Sequence, residues 1–364
     1  MVQTETDTLN PAMGESSAFD PNSLAQKDSN IFGLPFTPET AQQVIIPVPW
    51  EVTVSYNAGT AAGPEAIFQA SKQVDLFDID VQDAWKLGLA MLDIPKKLVR
   101  LNAKMREKAE KYIAALEDGK DASTNKKSAA LLAEINFSCE QMNTWVFEQA
   151  QALLAQNKLV GLIGGDHSTP LGLLRALATK HLEFGILHFD AHADLRDAYE
   201  GFKYSHASIM FNALDIRELT RLVQVGIRDF CQQEYDLVKD SGGRVVSFYD
   251  RTINSRLSEG ESWKNITDDI ISHLPEKVYV SFDVDGFDPK LCPNTGTPVP
   301  GGLEFEQAVY VVKRLVDSGK TIIGFDINEV APGKDDEWDA NVGARLTYRL
   351  ANLAALSNNL KPIC

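Results

Sequence analysis

Cysteine is scarce. Cys139, Cys231, Cys292 and Cys364 are the four in 364 residues, and no two form a C-x-x-C pair. A disulfide framework or a thiolate-bound structural zinc is therefore not expected, and a reducing cytoplasmic setting fits. No run of about 18 apolar residues occurs, so no membrane-spanning helix is expected. The first residues lack the basic stretch and apolar stretch of a secretory signal. Positive charge is in deficit, with 35 Lys and Arg against 51 Asp and Glu and a formal net charge of −16. That balance argues against nucleic acid and anionic membrane surfaces as partners, and it is compatible with a small cationic substrate.

Hydrophobic residues at 44% and charged residues at 24% are ordinary for a globular enzyme. The length suits one large α/β domain or two smaller ones. Residues 1–30 are polar and read as an arm, poorly ordered or ordered only against a neighbouring subunit. Residues 31–364 read as a single domain. The first core strand is expected in "AQQVIIPVPW", followed by a turn at Gly59, Gly63 and Pro64 that opens a helix. Two helices are expected between Pro95 and about Lys158, parted at "EDGKDASTNKK". From Leu159 the chain alternates. Strands are expected in "LVGLIGG", "FGILHFD", "LVQVGIR", "RVVSFYD", "KVYVSFDVD" and "TIIGFDINEV", with helices such as "TPLGLLRALATK" and "EFEQAVYVVKRLVDSG" between them. Continuous apolar strands are buried on both faces, which predicts a doubly wound, mostly parallel α/β sheet with function at its carboxyl edge.

Ionisable residues gather at that edge. In "HFDAHADLR", Asp190, His192 and Asp194 alternate and are expected to share one strand face. Asp283 and Asp285 end a second apolar strand in "FDVDGFDP", and Asp166 and His167 end a third in "GGDHS". Each motif alone fits a strand-end cap, but the three together place many carboxylates on one rim. Such a cluster is costly without counter-charge. Two divalent ions would balance it, and mixed oxygen and imidazole donors suit manganese, iron, cobalt or nickel rather than calcium. A pair of ions about 3.5–4 Å apart can hold a hydroxide at neutral pH.

These three motifs resemble the signatures of the ureohydrolases, the arginase and agmatinase superfamily. The resemblance extends to "SYNAGTAAGPEAI", "TGTPVPGGL" and "FDINEVAP", from about Val44 to the end. It implies a three-layer α/β/α fold with an eight-stranded, mostly parallel sheet, and a homo-oligomer, trimer or hexamer. It also implies two divalent metal ions per subunit, one held by His167, Asp190, Asp194 and Asp283, the other by Asp190, His192, Asp283 and Asp285. A bridging hydroxide would attack the central carbon of a guanidinium group, Asp194 would relay its proton to the leaving nitrogen, and Glu329 would pair with the guanidinium. His206 in "YSHAS" falls where relatives keep a proton-shuttling histidine; a loop histidine is the plainer alternative. His188 is expected to be buried beside the ligands rather than one of them.

The stretch after the second motif narrows the substrate. The loop "LRDAYEGFKYSHAS" carries Tyr199, Phe202 and Tyr204 and lacks the Asn and Ser pattern with which arginases hold an amino acid, so L-arginine is not expected. Trp338 is placed near the rim, as a seat for a flat cation or as an interface anchor. Arg196 could meet the carboxylate of a guanidino acid or form a surface ion pair. The pattern as a whole resembles the cyanobacterial-type branch that hydrolyses free guanidine to urea and ammonium. That resemblance favours nickel over manganese, with a metal-loading chaperone as a further partner. The alternative is agmatinase or a guanidino-acid hydrolase such as guanidinobutyrase.

Overall fold

Val44, Ile45, Ile46 and Val48 are all completely buried, as a strand sandwiched between two helical layers requires. In this computed structural model, which describes residues 19–363 apart from 121 and 124, they belong to β1 (Gln43–Val48). The other strands are β2 (Leu89–Met91), β3 (Leu159–Gly164), β4 (Phe184–Phe189), β5 (Leu219–Ile227), β6 (Val245–Tyr249), β7 (Lys277–Asp283) and β8 (Thr321–Asn328). They form one eight-stranded sheet in the order β2-β1-β3-β8-β7-β4-β5-β6. Every pairing is parallel, where the sequence predicts a mostly parallel sheet.

Two series of helices cover the sheet. In one, α1 (Gly63–Ser71), α10 (Trp338–Ser357), α9 (Phe305–Asp317) and α8 (Trp263–Ser272) pack in succession. In the other, α2 (Lys96–Glu117), α3 (Lys126–Ala155), α4 (Leu171–Lys180) and α5 (Ile209–Ala213) do the same. The polar helices α6 (Gln232–Asp240) and α7 (Asp250–Ser258) pack beside β5 and β6. This is the expected three-layer α/β/α fold. Buried hydrophobic residues from Ile31 to Ala355 form one continuous cluster.

The pattern of apolar runs predicts neither β2, which is three residues long, nor α5, which is five, nor the short and mostly polar α6 and α7. The last helix begins at Trp338 rather than at the apolar "GARL". The polar arm expected over 1–30 lies outside the described residues up to 18. From 19 onward the chain rests on the body: the Phe19 ring lies 5.0 Å from that of Trp85. The Asn30 side chain accepts from Met91 N and donates to its carbonyl.

Four neighbouring strands at the centre of the sheet, β3, β8, β7 and β4, end in the four acidic motifs. That adjacency brings segments far apart in sequence to one edge, at the carboxyl end where open α/β sheets bind ligands.

Candidate metal centre

Three of the acidic motifs meet around one imidazole nitrogen. His167 Nδ1 lies 3.0 Å from Asp190 Oδ2, 3.2 Å from Asp194 Oδ2 and 3.3 Å from Asp283 Oδ2. One ring nitrogen carries at most one proton, so it cannot satisfy three carboxylates by hydrogen bonding. Neighbouring donors around an octahedral ion with bonds of about 2.1 Å stand about 3.0 Å apart, which is the spacing observed here. A second group adjoins the first, with His192 Nδ1 3.0 Å from Asp285 Oδ2 and 3.4 Å from Asp190 Oδ1. Asp190 thus turns one oxygen to each group, the posture of a bridging carboxylate. Among the described residues, the ligand atoms of His167, His188, Asp190 and Asp194, and those of Asp190, His192 and Asp285, each lie within 4.8 Å of one another, a mixed oxygen and imidazole set that fits two divalent ions.

The local backbone achieves this differently from the alternation read in the sequence. β4 stops at Phe189, so Asp190, His192 and Asp194 lie beyond it rather than along one strand face. Asp190 Oδ1 accepts from His192 N at 2.6 Å, which folds the chain back on itself. Asp194 then adopts a left-handed conformation, φ 54°. Asp283 caps a short 3-10 turn over Val284–Gly286 by accepting from Asp285 N. Gly286 is required there, because a Cβ would come within 2.7 Å of Asp190 N. Glu329, just past β8, is also left-handed at φ 65°. Strained non-glycine residues of this kind gather where function holds the backbone in place.

Electrostatics state the same need for positive charge. Burial pushes the Asp194 carboxyl up to about 7, and the charge of Asp190 adds to it. Burial, with Asp285 and Asp190 adding, drives Asp283 well above the carboxylate range. Glu329 rises well above it through burial and the nearby Asp166. Burial also lowers the His206 imidazole to about 4, and His192 and His167 reinforce this. His167 is held well above an ordinary imidazole, because Asp190, Asp194 and Asp283 outweigh its burial.

The remaining residues named from the sequence divide between the site and its surroundings. Glu329 joins the site, its Oε1 accepting from His167 N at 2.9 Å. His206 Nδ1 lies 3.4 Å from Thr53 Oγ1, which is itself 3.5 Å from Asp166 Oδ2. Asp166 accepts from Ser168 N and Oγ and so shapes the turn rather than joining either group of donors. His188 is fully buried with Nε2 2.8 Å from Asp190 Oδ2. Trp338 is 49% exposed, and its indole donates to the Lys290 carbonyl, on the loop leading to Thr297. It makes no hydrogen bond to the acidic cluster. Arg196 is drawn to Glu234 at 3.7 Å and stacks 4.8 Å over the Tyr199 ring. Phe202 is fully buried, its ring 5.2 Å from that of Tyr112. Tyr204 is buried beneath Arg175. Phe202 and Tyr204 therefore belong to the core, and Trp338 stands at the surface.

Two contributors were not singled out from the sequence, although Thr297 lies within the quoted stretch "TGTPVPGGL". Thr53 is a single buried threonine, linking His206 to Asp166 only through the tertiary fold. Thr297 places Oγ1 3.5 Å from Asp285 Oδ2. Beside it, Gly296 approaches Glu329 closely enough that a Cβ would lie 3.2 Å from Oε2.

An all-parallel α/β/α sheet whose central strands end in acids and imidazoles arranged for two divalent ions defines a dinuclear metal site. Comparison with known proteins gives it a family. Residues 41–352 match the arginase family. The N(1)-aminopropylagmatine ureohydrolase of Synechocystis sp. is 30% identical over 313 residues, 85% of this chain and 88% of the relative. The agmatinase of Edwardsiella ictaluri is 32% identical over 343 residues, 90% and 95% of the two chains. The solved agmatine ureohydrolase of Thermoplasma volcanium superposes with a TM-score of 0.68 at 22% identity, over 91% of this chain and 96% of that one, which shows the shared fold. The chain belongs to the arginase family, a family of metal-dependent ureohydrolases with a binuclear divalent centre.

Proposed function

We propose that residues 31–364 form one ureohydrolase domain that hydrolyses free guanidine to urea and ammonium. In this reading His167, Asp190, Asp194 and Asp283 hold one ion, and Asp190, His192, Asp283 and Asp285 hold the other. When bound, the two ions supply a water activated for attack at neutral pH and a Lewis acid beside the substrate. The chain's own groups do the rest. Glu329 accepts two N–H groups of the planar cation and turns its central carbon toward the acids. Asp194, a buried carboxylate beside His167, would take a proton from the attacking water and pass it to the departing nitrogen. Guanidinium plus water thus gives urea plus ammonium, with no atom unaccounted for. His206, half-buried beside Thr53, would exchange a proton between the site and solvent.

The support for the tail-less substrate is the burial of the acids that would face it: Asp190 is 0% exposed, Asp283 2%, Asp285 3%, and Asp194 and Glu329 4%, while the His192 side chain, 24% exposed, marks the side open to solvent. Guanidine needs no room beyond its own plane. The relatives' names support the alternative better, an agmatine-type substrate with an amine tail. Nickel over manganese, a loading chaperone, a trimeric or hexameric assembly and a cytoplasmic location belong to this proposal by analogy alone.

Urea release decides between the substrates. Protein loaded separately with Ni²⁺ and with Mn²⁺ is offered guanidine, agmatine, 4-guanidinobutyrate and L-arginine. Turnover of guanidine alone, best with nickel, is the expected result. A preference for agmatine would overturn the tail-less reading and leave the metal assignment standing.

A further inference from the structure

A row of polar side chains crosses the apolar sheet one level beneath the acidic cluster. Strand register aligns Asp326 of β8 with Ser281 of β7, Ser281 with His188 of β4, His188 with Gln224 of β5, and Gln224 with Ser247 of β6. The first four are 0% exposed, and Ser247 is half-buried. Their strand neighbours Leu187, Val280, Val223, Phe189, Phe282 and Val225 are buried hydrophobics. Five polar residues in register within such a sheet carry a desolvation cost that folding alone does not require.

The hydrogen bonds give the row a direction. Gln224 Nε2 donates to the Ala193 carbonyl at 2.7 Å, and its Oε1 accepts from Ser247 Oγ at 2.8 Å. A carbonyl can only accept, so the amide is fixed with Nε2 toward His188 Nδ1, 3.1 Å away. His188 Nδ1 must then accept, which leaves the proton on Nε2. That proton points at Asp190 Oδ2, 2.8 Å away. On the other branch, His167 Nε2 lies 2.9 Å from Ser281 Oγ, which donates to Asp326 Oδ1 at 3.1 Å. Ser281 has spent its proton on Asp326 and so accepts from His167 Nε2–H. His167 Nδ1 is left as a bare lone pair facing the carboxylates.

We propose that this row is a positioning layer for the metal centre. His188, held by Gln224 and Ser247, orients the bridging carboxylate of Asp190; Ser281, held by Asp326, fixes the tautomer in which His167 can ligate. The inference rests on reading Asp190 and His167 as metal ligands. Neither branch touches substrate. Partners behind metal ligands of this kind change metal affinity about 10- to 100-fold when removed.

Mn²⁺ affinity, measured by competition with a chromogenic chelator, tests it in Gln224→Met, Ser281→Ala and the milder Ser247→Ala. Thermal unfolding of the metal-free proteins serves as the folding control. Gln224→Met and Ser281→Ala are expected to bind Mn²⁺ about tenfold more weakly or worse. Ser247→Ala should show a smaller loss in the same direction. At saturating Mn²⁺ the KM for the preferred guanidino substrate should stay within about twofold of the parent, because Glu329 is untouched. Folded variants that bind Mn²⁺ as the parent does would overturn the proposal. If Gln224→Met does not fold, the two serine variants decide it. A parent protein that takes up no divalent ion would overturn the ligand reading itself, an outcome separate from parent-like affinity in the variants.

Discussion

Glu329→Gln isolates the charge that receives the guanidinium. The carboxylate is almost fully buried, and its Oε1 is committed to His167 N at 2.9 Å. A glutamine must present its carbonyl oxygen to that same N–H, so its NH₂ group takes the place of Oε2. Oε2 is the oxygen beside Gly296, where a Cβ would come within 3.2 Å of it. The variant therefore offers a donor to a cation made entirely of donors. Removing one partner of a buried, hydrogen-bonded charge pair costs about 2–5 kcal/mol, and about 3 kcal/mol is a fair expectation for this geometry. That corresponds to roughly two orders of magnitude in kcat/KM. Urea release at saturating metal gives kcat and KM, and metal analysis of the same sample shows whether the centre is intact. The expected result is full metal content, raised KM and reduced kcat. Full metal content with kinetics within about threefold of the parent would place the guanidinium elsewhere and refute the reasoning.

Asp283→Ala removes a carboxylate facing His167 and is expected to lower bound metal toward one ion or none and abolish turnover, as metal analysis would show; two ions with normal turnover would refute the bridging assignment. Gly286→Ala should lower thermal stability by about 1–3 kcal/mol, since its Cβ meets backbone at Asp190 rather than a movable side chain; an unchanged melting temperature would show that the turn can yield. In the metal-free protein, burial, reinforced by His192 and His167, pushes the His206 imidazole down to about 4 from the ordinary 6.5, so its contribution to stability is present above about pH 6.5 and lost as pH falls toward 4. His206→Asn should accordingly flatten the decline in chemical stability between those limits, and an identical decline would refute the burial argument. Trp338→Ala removes the indole that holds the Lys290 carbonyl; if the loop bearing Thr297 limits the pocket, longer guanidino compounds gain relative to guanidine, and an unaltered ranking would make Trp338 a surface anchor only.

The strands around the centre were legible because burial on both faces leaves an unmistakable apolar run, and the acids ending those runs advertised a charge that only metal would balance. The motifs at His167, Asp190, His192, Asp194, Asp283 and Asp285 therefore could be found in the chain, and so could the family. Register could not. That His188, Gln224 and Ser281 share one level comes from how β4, β5 and β7 slide into alignment, which no single strand encodes. Likewise, the convergence of Asp190, His192 and Asp194 arises from a tight turn and a left-handed residue beyond the strand, not from strand alternation. Arg196, Phe202, Tyr204 and Trp338 show the same boundary from the other side. Their residue types suit a pocket, but the fold gives them Glu234, Tyr112, Arg175 and the Lys290 carbonyl as neighbours instead. The sequence by itself determined the layered parallel architecture and the chemistry available at its carboxyl edge. Only the tertiary structure decided which atoms face one another there, because those distances depend on the packing of elements from tens of residues to more than a hundred apart.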